Sequence, residues 1–517
     1  MMAPELTQLG SLGDLIVTAL QRGGDRTAFI HGERQTSYRA FGAQLARLIA
    51  ALDAQGLQKG DTIASLSGNR PEAFLVSCAG YLMGLRVGWI NPTASENDQA
   101  YLLTDAGVGT LFVDPDLFRE RGERLAARTG IQRVWWLAPT DAGTDIDTLC
   151  RDATPAPLLP RASADDVAVL VYTGGTTGVP KGVVHTHRVQ VAMTLMQLAD
   201  WDWPQETRYL ALTPITHAAG TFILPTLLRG GTVVLTHGFG ADKFIDLVER
   251  HRITTTFLVP TMLYVLLDHP RLADADLSSL QMVAYGAAPM LPSRLTEGMR
   301  RLGPVFMQLY GQSEAPMMIT VLRQRDHDPE HHPERLASCG LPVIGNQLRL
   351  LDEQGREVPQ GEVGEICLRS PLVMAGYLKK PDETAKALRN GWLYTGDLAR
   401  QDADGYLYIV DRSKDMVISG GFNVYPREVE DVLALHPAVS SAAVVGVPDP
   451  KWGEQVRAMV VLKQGQSATA EELMALVREH KGAVSVPKQI RFVAQLPVTT
   501  IGKLDKKAVR ARFAEEG

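Results

Sequence analysis

Residues 167–187, VAVLVYTGGTTGVPKGVVHTH, concentrate the groups that a polyphosphate needs. A buried apolar strand over 167–172 is expected to run into Thr173, Gly174, Gly175, Thr176, Thr177 and Gly178, with Lys181 three positions on. Glycines let the backbone approach an anion without Cβ obstruction. Successive N–H groups in such a turn form an anion-binding nest. The hydroxyls of Thr173, Thr176 and Thr177 add donors, and Lys181 adds positive charge. A P-loop requires Gly-Lys followed by Ser or Thr. Here Pro180 precedes Lys181 and Gly182 follows it, so the loop is of another kind. Surface loops with two glycines are common, but the string YTGGTTGVPKG is far more specific than that.

Other segments carry chemistry more weakly when read alone. Glu314 in YGQSEA (310–315) is a hard oxygen donor suited to a cation that bridges phosphates. Ser-Glu after a strand is also an ordinary helix cap. Asp397 in YTGD (394–397) can accept hydrogen bonds from two neighbouring hydroxyls, although Thr-Gly-Asp is equally a β-turn. His217 in PITHAAG (214–220) reads evenly as a site residue or as a core histidine bonded to backbone. His327, His331, His332 and Cys339 fall close together, but their spacing is irregular, and the segment reads as a surface loop rather than a zinc site.

These groups must be positioned by a repeating pattern of short apolar runs, Gly/Pro/Asn turns and helix-like stretches. DTIASLS from Asp61, an apolar helix over 73–83 and RVGWINP from Arg86 form one such unit. YLALTPI from Tyr209, a helix over 222–228 and GTVVLTH from Gly231 form another. TTTFLVP from Thr254 and QMVAYGAAP from Gln281 add two buried strands. Strands alternating with helices predict parallel sheets covered by helices. Beyond about residue 340 charge, glycine and short alternating runs predict small antiparallel strands, as in a distorted barrel. Pro426 then opens a helix, followed by the strands SAAVVGV and RAMVVLK, a second helix from Glu471 and a basic tail. Lys506, Lys507 and Arg510 in that tail read as a solvated helix face.

The 517 residues exceed one compact core. The expected class is α/β: a large N-terminal domain (1–411) of two helix-covered β-sheets plus a small β-barrel, and a smaller mobile α+β C-terminal lid (412–517). Lys+Arg 52 against Asp+Glu 58 gives −6, which argues against a nucleic-acid partner. The longest apolar run, over 256–267, is too short to span a bilayer and contains Pro260, so no integral membrane segment is expected. Cys78, Cys150, Cys339 and Cys367 are few and dispersed, which predicts reduced thiols. The N-terminus shows no secretory pattern, and a cytoplasmic location is expected.

Taken in order along the chain, the motifs resemble those of the adenylate-forming superfamily: acyl- and aryl-CoA synthetases, peptide-synthetase adenylation domains and firefly-type luciferases. YTGGTTGVPKG is similar to the signature loop, with Gly175 replacing the usual Ser. YGQSEA is similar to a Tyr-Gly-x-Thr-Glu segment, with Ser313 replacing Thr and keeping the hydroxyl. The resemblance implies ATP, magnesium and coenzyme A. It places Thr173–Gly178 as a loop with Lys181 on the phosphates, Tyr310 and Gly311 against adenine, Ser313 on phosphate and Glu314 on magnesium. Gly286, Ala287 and Ala288 of YGAAP line adenine and acyl group, and Asp397 and Arg412 hold the ribose. His217, Ala218 and Ala219, with Gly286 and Gly311, border the acyl group. Thr216 stands where many relatives have an aromatic residue.

By the same resemblance Lys414 is the inter-domain hinge, Gly420, Gly421 and Trp452 lie on the CoA path, and Lys503 is the catalytic lysine, acting with Thr176 and Glu314. A buried core tryptophan is the plain alternative for Trp452. The implied activity is ligation of a fatty or aromatic acid to CoA through an acyl-adenylate. Implied partners are the acid, ATP and CoA, with a homodimer admitted. Competing readings are an acyl-AMP ligase that loads a carrier protein, a luciferase-like oxygenase and a non-catalytic nucleotide- or acyl-binding sensor.

Overall fold

The computed structural model describes residues 10–155, 157–173, 180–412, 415–419, 422–449, 452–498 and 504–514. Two large sheets dominate it. The first has nine strands, and its six central strands, Phe306–Gln312, Met282–Gly286, Thr255–Leu258, Arg208–Ala211, Thr232–Leu235 and Thr27–His31, run parallel. Antiparallel edges, Ala315–Leu322 with Leu341–Pro342 on one side and Arg34–Ser37 on the other, complete it. The second has seven strands. Val167–Thr173, Arg86–Trp89, Thr62–Leu66, Val108–Val113 and Arg133–Trp136 are parallel. Lys181–Thr186 returns antiparallel to the first of these, and the two-residue strand Gly376–Tyr377 caps that edge.

The sheets share one core. Phe29, Tyr209 and Val233 of the first and Ile63, Val87 and Val169 of the second bury into one apolar cluster with helices Leu12–Gly23, Tyr38–Ala54 and Pro71–Met83 between them. The last of these is buried almost all round, as its unbroken apolar run requires. The outer face of the nine-stranded sheet is covered by Ala241–His251, Pro260–Leu267 and Pro292–Leu302. Pro260 thus opens a helix rather than interrupting one, because its missing N–H is an orphan at a first turn. Among the described residues no helix is long and apolar enough to cross a membrane, and all four cysteines are free.

Five strands between residues 347 and 412 form an antiparallel sheet, a half-barrel. The last sheet comprises Val417–Ser419, Phe422–Val424, Val439–Asp449, Gly453–Leu462 and Gln489–Phe492, with helices Pro426–Leu433, Ala470–Lys481 and Lys506–Ala514 on it. One expectation fails here. Lys506 and Arg510 are not a solvated face. Lys506 Nζ lies 3.2 Å from Glu430 and 3.9 Å from Asp411, with its side chain 18% exposed, and Arg510 pairs with Asp415 at 3.0 Å. The helix carrying them is drawn onto acidic groups just past the half-barrel, which charge counting along the tail alone does not foresee.

Candidate active site

Three separated segments meet at the carboxyl ends of the parallel strands of the nine-stranded sheet, where open α/β sheets bind ligands. Gly286 ends one strand, and Tyr310 stands near the end of its neighbour. A Cβ on Gly286 would lie 2.4 Å from the Leu309 carbonyl oxygen, and one on Gly311 would lie 2.4 Å from Met317 N, so both positions demand glycine. Beyond Gly286 the chain turns through Ala287 at φ 65, a left-handed conformation that costs an alanine energy and persists where the surroundings fix it. Ala287 is exposed there and Ala288 half-buried.

The Tyr310 hydroxyl donates to Asp397 Oδ2 at 2.6 Å, and Arg412 Nε lies 3.0 Å from Asp397 Oδ1. Asp397 and Arg412 face each other across adjacent antiparallel strands, Trp392–Gln401 and Leu407–Arg412, so the half-barrel delivers them together. Asp397 and Tyr310 are buried, whereas the Arg412 side chain is 52% exposed. Asp397 holds the Arg412 guanidinium above its ordinary value, with smaller contributions from Tyr310, Asp415 and Glu314. Burial and the Asp397 carboxylate push the Tyr310 phenol up, so it stays a donor. Gln312 Nε2 donates to the Thr395 carbonyl at 3.3 Å and ties the two elements again.

Four residues past Tyr310, the half-buried Glu314 accepts from the Tyr377 hydroxyl at 2.6 Å, and its carbonyl accepts from Met374 N at 2.9 Å. Lys181 begins the strand that follows the 174–179 segment and pairs in register with Thr173. Its Nζ lies 2.6 Å from Glu383 Oε2 and 5.0 Å from the Tyr377 ring centroid. Hydrogen bonds from Lys181 and Lys386 hold the Glu383 carboxyl down at about 2. Thr173 and Lys181 therefore sit on the same side of the site as Glu314. Gly174, Gly175, Thr176, Thr177, Gly178, Lys414, Gly420, Gly421 and Lys503 lie outside the described residues.

His217 caps the short 3₁₀ turn Ala218–Phe222, half-buried, with its Nδ1 3.4 Å from Thr216 Oγ1. Ala218 is half-buried, and Ala219 is fully buried, its carbonyl accepting from the Tyr209 hydroxyl at 2.9 Å. The preceding loop is held by Asn69, whose amide donates to the carbonyls of Ala211, Thr213 and Thr236 and accepts from Ile215 N at 3.0 Å. Trp452 is 42% exposed, with Lys488 Nζ 5.9 Å from its ring centroid, so it is not a core tryptophan.

Sequence reasoning missed Tyr377, Glu383, Asn69 and His185. Each sits on a different element from the group it touches, and none has a spacing signal. The buried His185 has Nε2 2.6 Å from the Ser313 carbonyl oxygen and Nδ1 2.8 Å from Gln190 Nε2. His327 is buried between Tyr285 and the Arg323 carbonyl, while the exposed His331 and His332 pair with Asp328 and Glu334.

Burial pushes the rings of His185, His187 and His327 down to about 4. An unfolded chain takes up these protons near pH 6.5, so between about 6.5 and 4 it binds more protons than the fold does, and stability falls as pH falls. Each ring contributes at most about 1.4 kcal/mol per pH unit over that window. The urea unfolding midpoint is expected to drop steadily from pH 6.5 to 4.5, and His327→Gln is expected to make that slope shallower by one ring's share. A midpoint that stays flat over the window contradicts this.

A family model described as AMP-binding enzyme matches residues 17–378, and one described as AMP-binding enzyme C-terminal domain matches residues 428–503. The medium/long-chain-fatty-acid–CoA ligase FadD8 of Mycobacterium tuberculosis is 45% identical, over 97% of this chain and 90% of its own length. A feruloyl-CoA synthase of an Amycolatopsis species is 38% identical, over 97% of this chain and 99% of its own. The solved amide bond synthetase McbA from Marinactinospora thermotolerans superposes with a TM-score of 0.91 at 36% identity, covering 97% of this chain and 99% of that one.

Proposed function

Because this chain belongs to the AMP-binding enzyme family, we propose that it is an ATP-dependent ligase that joins a fatty or aromatic carboxylic acid to CoA in the cytoplasm. In the first half-reaction a carboxylate oxygen attacks the ATP α-phosphorus, the bond to the bridging oxygen breaks, and pyrophosphate leaves. In the second the CoA thiol, losing its proton, attacks the acyl carbonyl, and AMP leaves with the electron pair. Both steps depend on positioning and charge stabilisation rather than on a covalent enzyme intermediate.

One observation supports this reading above the rest: Tyr310, Asp397 and Arg412 converge beside Glu314 and Lys181 although they come from three separate stretches of chain. Asp397 and Arg412 are the ribose grip. Gly286, Ala287, Ala288, Tyr310 and Gly311 border adenine, and the 173–178 loop, Lys181, Ser313 and Lys503 take the phosphates. His217, Ala218 and Ala219 face the acid. Glu314 suits magnesium that arrives with the nucleotide. It is a lone half-buried carboxylate with Oε1 held by Tyr377 and no hydrogen bond to Oε2 among the described residues, and magnesium is usually held by one or two carboxylates plus substrate phosphates. Its charge would offset that of the phosphates. Gly420, Gly421 and Trp452 border the thiol path, and residues 412–517 turn as a lid about Lys414.

The test is acid-dependent exchange of radiolabelled pyrophosphate into ATP, over short, medium and long fatty acids, benzoates and arylalkanoates, followed by thioester formation with CoA or a holo-carrier protein. Exchange with at least one acid and transfer to CoA is the expected result. Exchange without transfer to CoA, but with transfer to the carrier, replaces the acceptor. No exchange with any acid overturns the reading. Light scattering on the same preparation separates monomer from homodimer.

A further inference from the structure

Resting on the ligase reading, we propose that His185, its tautomer fixed by the Ser313 carbonyl and its ring held in place by Gln190, is a positioning residue for the segment that carries Ser313 and Glu314, and that it sets the enzyme's demand for magnesium–nucleotide.

The Ser313 carbonyl can only accept a hydrogen bond, so the 2.6 Å contact requires the proton on His185 Nε2. His185 Nδ1 is then an acceptor and takes the Gln190 amide N–H at 2.8 Å. Both ring nitrogens are used, and the ring is 1% exposed. Burial keeps the ring neutral at physiological pH, so the arrangement does not alternate with a charged form.

The consequence is local and directional. The Ser313 carbonyl belongs to the peptide unit that leads into Glu314. His185 fixes that unit from one side, Met374 N fixes the Glu314 carbonyl from the other, and Tyr377 fixes the carboxylate. Of these three, only His185 lies on the strand Lys181–Thr186 that returns from the phosphate loop. Side chains two apart share a strand face, so Lys181 and His185 project to the same side, toward Tyr377 and Ser313 respectively. The strand therefore ties the phosphate loop of one sheet to the Ser313–Glu314 turn at the edge of the other. Gln190 sits on the following helix, His187–Asp200, and among the described residues hydrogen-bonds to none of the groups assigned to substrate.

The test uses His185→Leu, His185→Gln and Gln190→Leu in the full chain. Leucine removes the donor. Glutamine restores an N–H near the position of Nε2. Gln190→Leu keeps the imidazole and its bond to the Ser313 carbonyl but removes the group that holds the ring from its other side. The KM for MgATP, and the magnesium concentration giving half-maximal rate, are expected to rise about tenfold in His185→Leu, the cost of one buried hydrogen bond of about 1.4 kcal/mol. Both are expected to rise severalfold in Gln190→Leu and to recover most of the way in His185→Gln, while the KM values for acid and CoA stay within about twofold.

Selective ¹⁵N labelling of histidine is expected to show the Nε2–H form of His185 in the wild type, and in Gln190→Leu an Nδ1 resonance shifted by loss of its hydrogen bond. If His185→Leu does not fold, Gln190→Leu and His185→Gln carry the decision. Equal rises in the KM for acid and for MgATP, or an unchanged magnesium demand in Gln190→Leu, overturn the proposal. A wild type with no pyrophosphate exchange overturns instead the ligase reading beneath it.

Discussion

Lys503→Ala is expected to lose acyl-adenylate formation by about 10²–10³-fold, while conversion of preformed acyl-adenylate and CoA to thioester stays within a few-fold of the wild type. In the first half-reaction negative charge builds on the α-phosphoryl oxygens as the carboxylate attacks. Losing one preorganised donor aimed at developing charge costs roughly 2.7–4 kcal/mol, which is that range of rates. In the second half-reaction the charge develops on the acyl carbonyl and the departing AMP, where the ligase reading gives Lys503 no part. Val498 and Leu504 on either side pair as an isolated bridge, and the helix that follows is anchored by Lys506 and Arg510. Lys507→Ala, at an exposed neighbour, is the control and should leave both half-reactions unchanged. Isolated adenylate for the second assay and stopped pyrophosphate release for the first separate the steps. Equal loss in both contradicts the assignment.

What the sequence revealed and what it hid divide along physical lines. Seven of the parallel strands were legible because each is a short apolar run closed by Gly, Pro or Asn, as at residues 61–66 and 281–286, whereas Thr27–His31, Val108–Val113, Arg133–Trp136 and Phe306–Gln312 were not singled out. The helix start at Pro426 was legible from its proline, and the helix expected from Glu471 begins one residue earlier, at Ala470, after a Thr469 cap the sequence reading did not use. Groups with a contiguous motif were legible too, and Tyr310, Asp397 and Arg412 do come together. Contacts across elements were not. Nothing in GYLKK indicates that Tyr377 pairs with Val183 at the edge of a sheet whose other strands end some 190 residues earlier, or that its hydroxyl reaches Glu314. His185 reads as one polar residue in a β-run. Its role depends on two partners 5 and 128 residues away. Lys506 was misread for the same reason: charge on a helix is solvated by default, and only the fold reveals Glu430 beneath it.

Asp397→Ala is expected to raise the KM for ATP about 10²-fold, and the choice of nucleotide separates loss of recognition from loss of structure. In the protein Asp397 Oδ2 accepts from Tyr310, and Oδ1 faces Arg412. Each carboxylate oxygen has a lone pair to spare, so the same group can accept from both ribose hydroxyls without releasing either partner. Two hydrogen bonds to a charged acceptor are worth roughly 3 kcal/mol together at the low end, which is the stated factor. The substitution also strips a buried anion from beside a guanidinium and a phenol, so a lower melting temperature is expected, by several degrees at least. A fall in KM performance caused only by that loosening would affect ATP and 2′-deoxy-ATP alike. If Asp397 grips the ribose, the wild type favours ATP strongly, and the variant loses most of that preference, while its activity with 2′-deoxy-ATP falls only by the one bond to the 3′-hydroxyl. Arg412→Ala should be strongly non-additive with Asp397→Ala, because the two act as one unit. A variant that keeps the full wild-type preference for ATP over 2′-deoxy-ATP would remove Asp397 from the nucleotide site, and the convergence of Tyr310 and Arg412 on it would then be architecture alone.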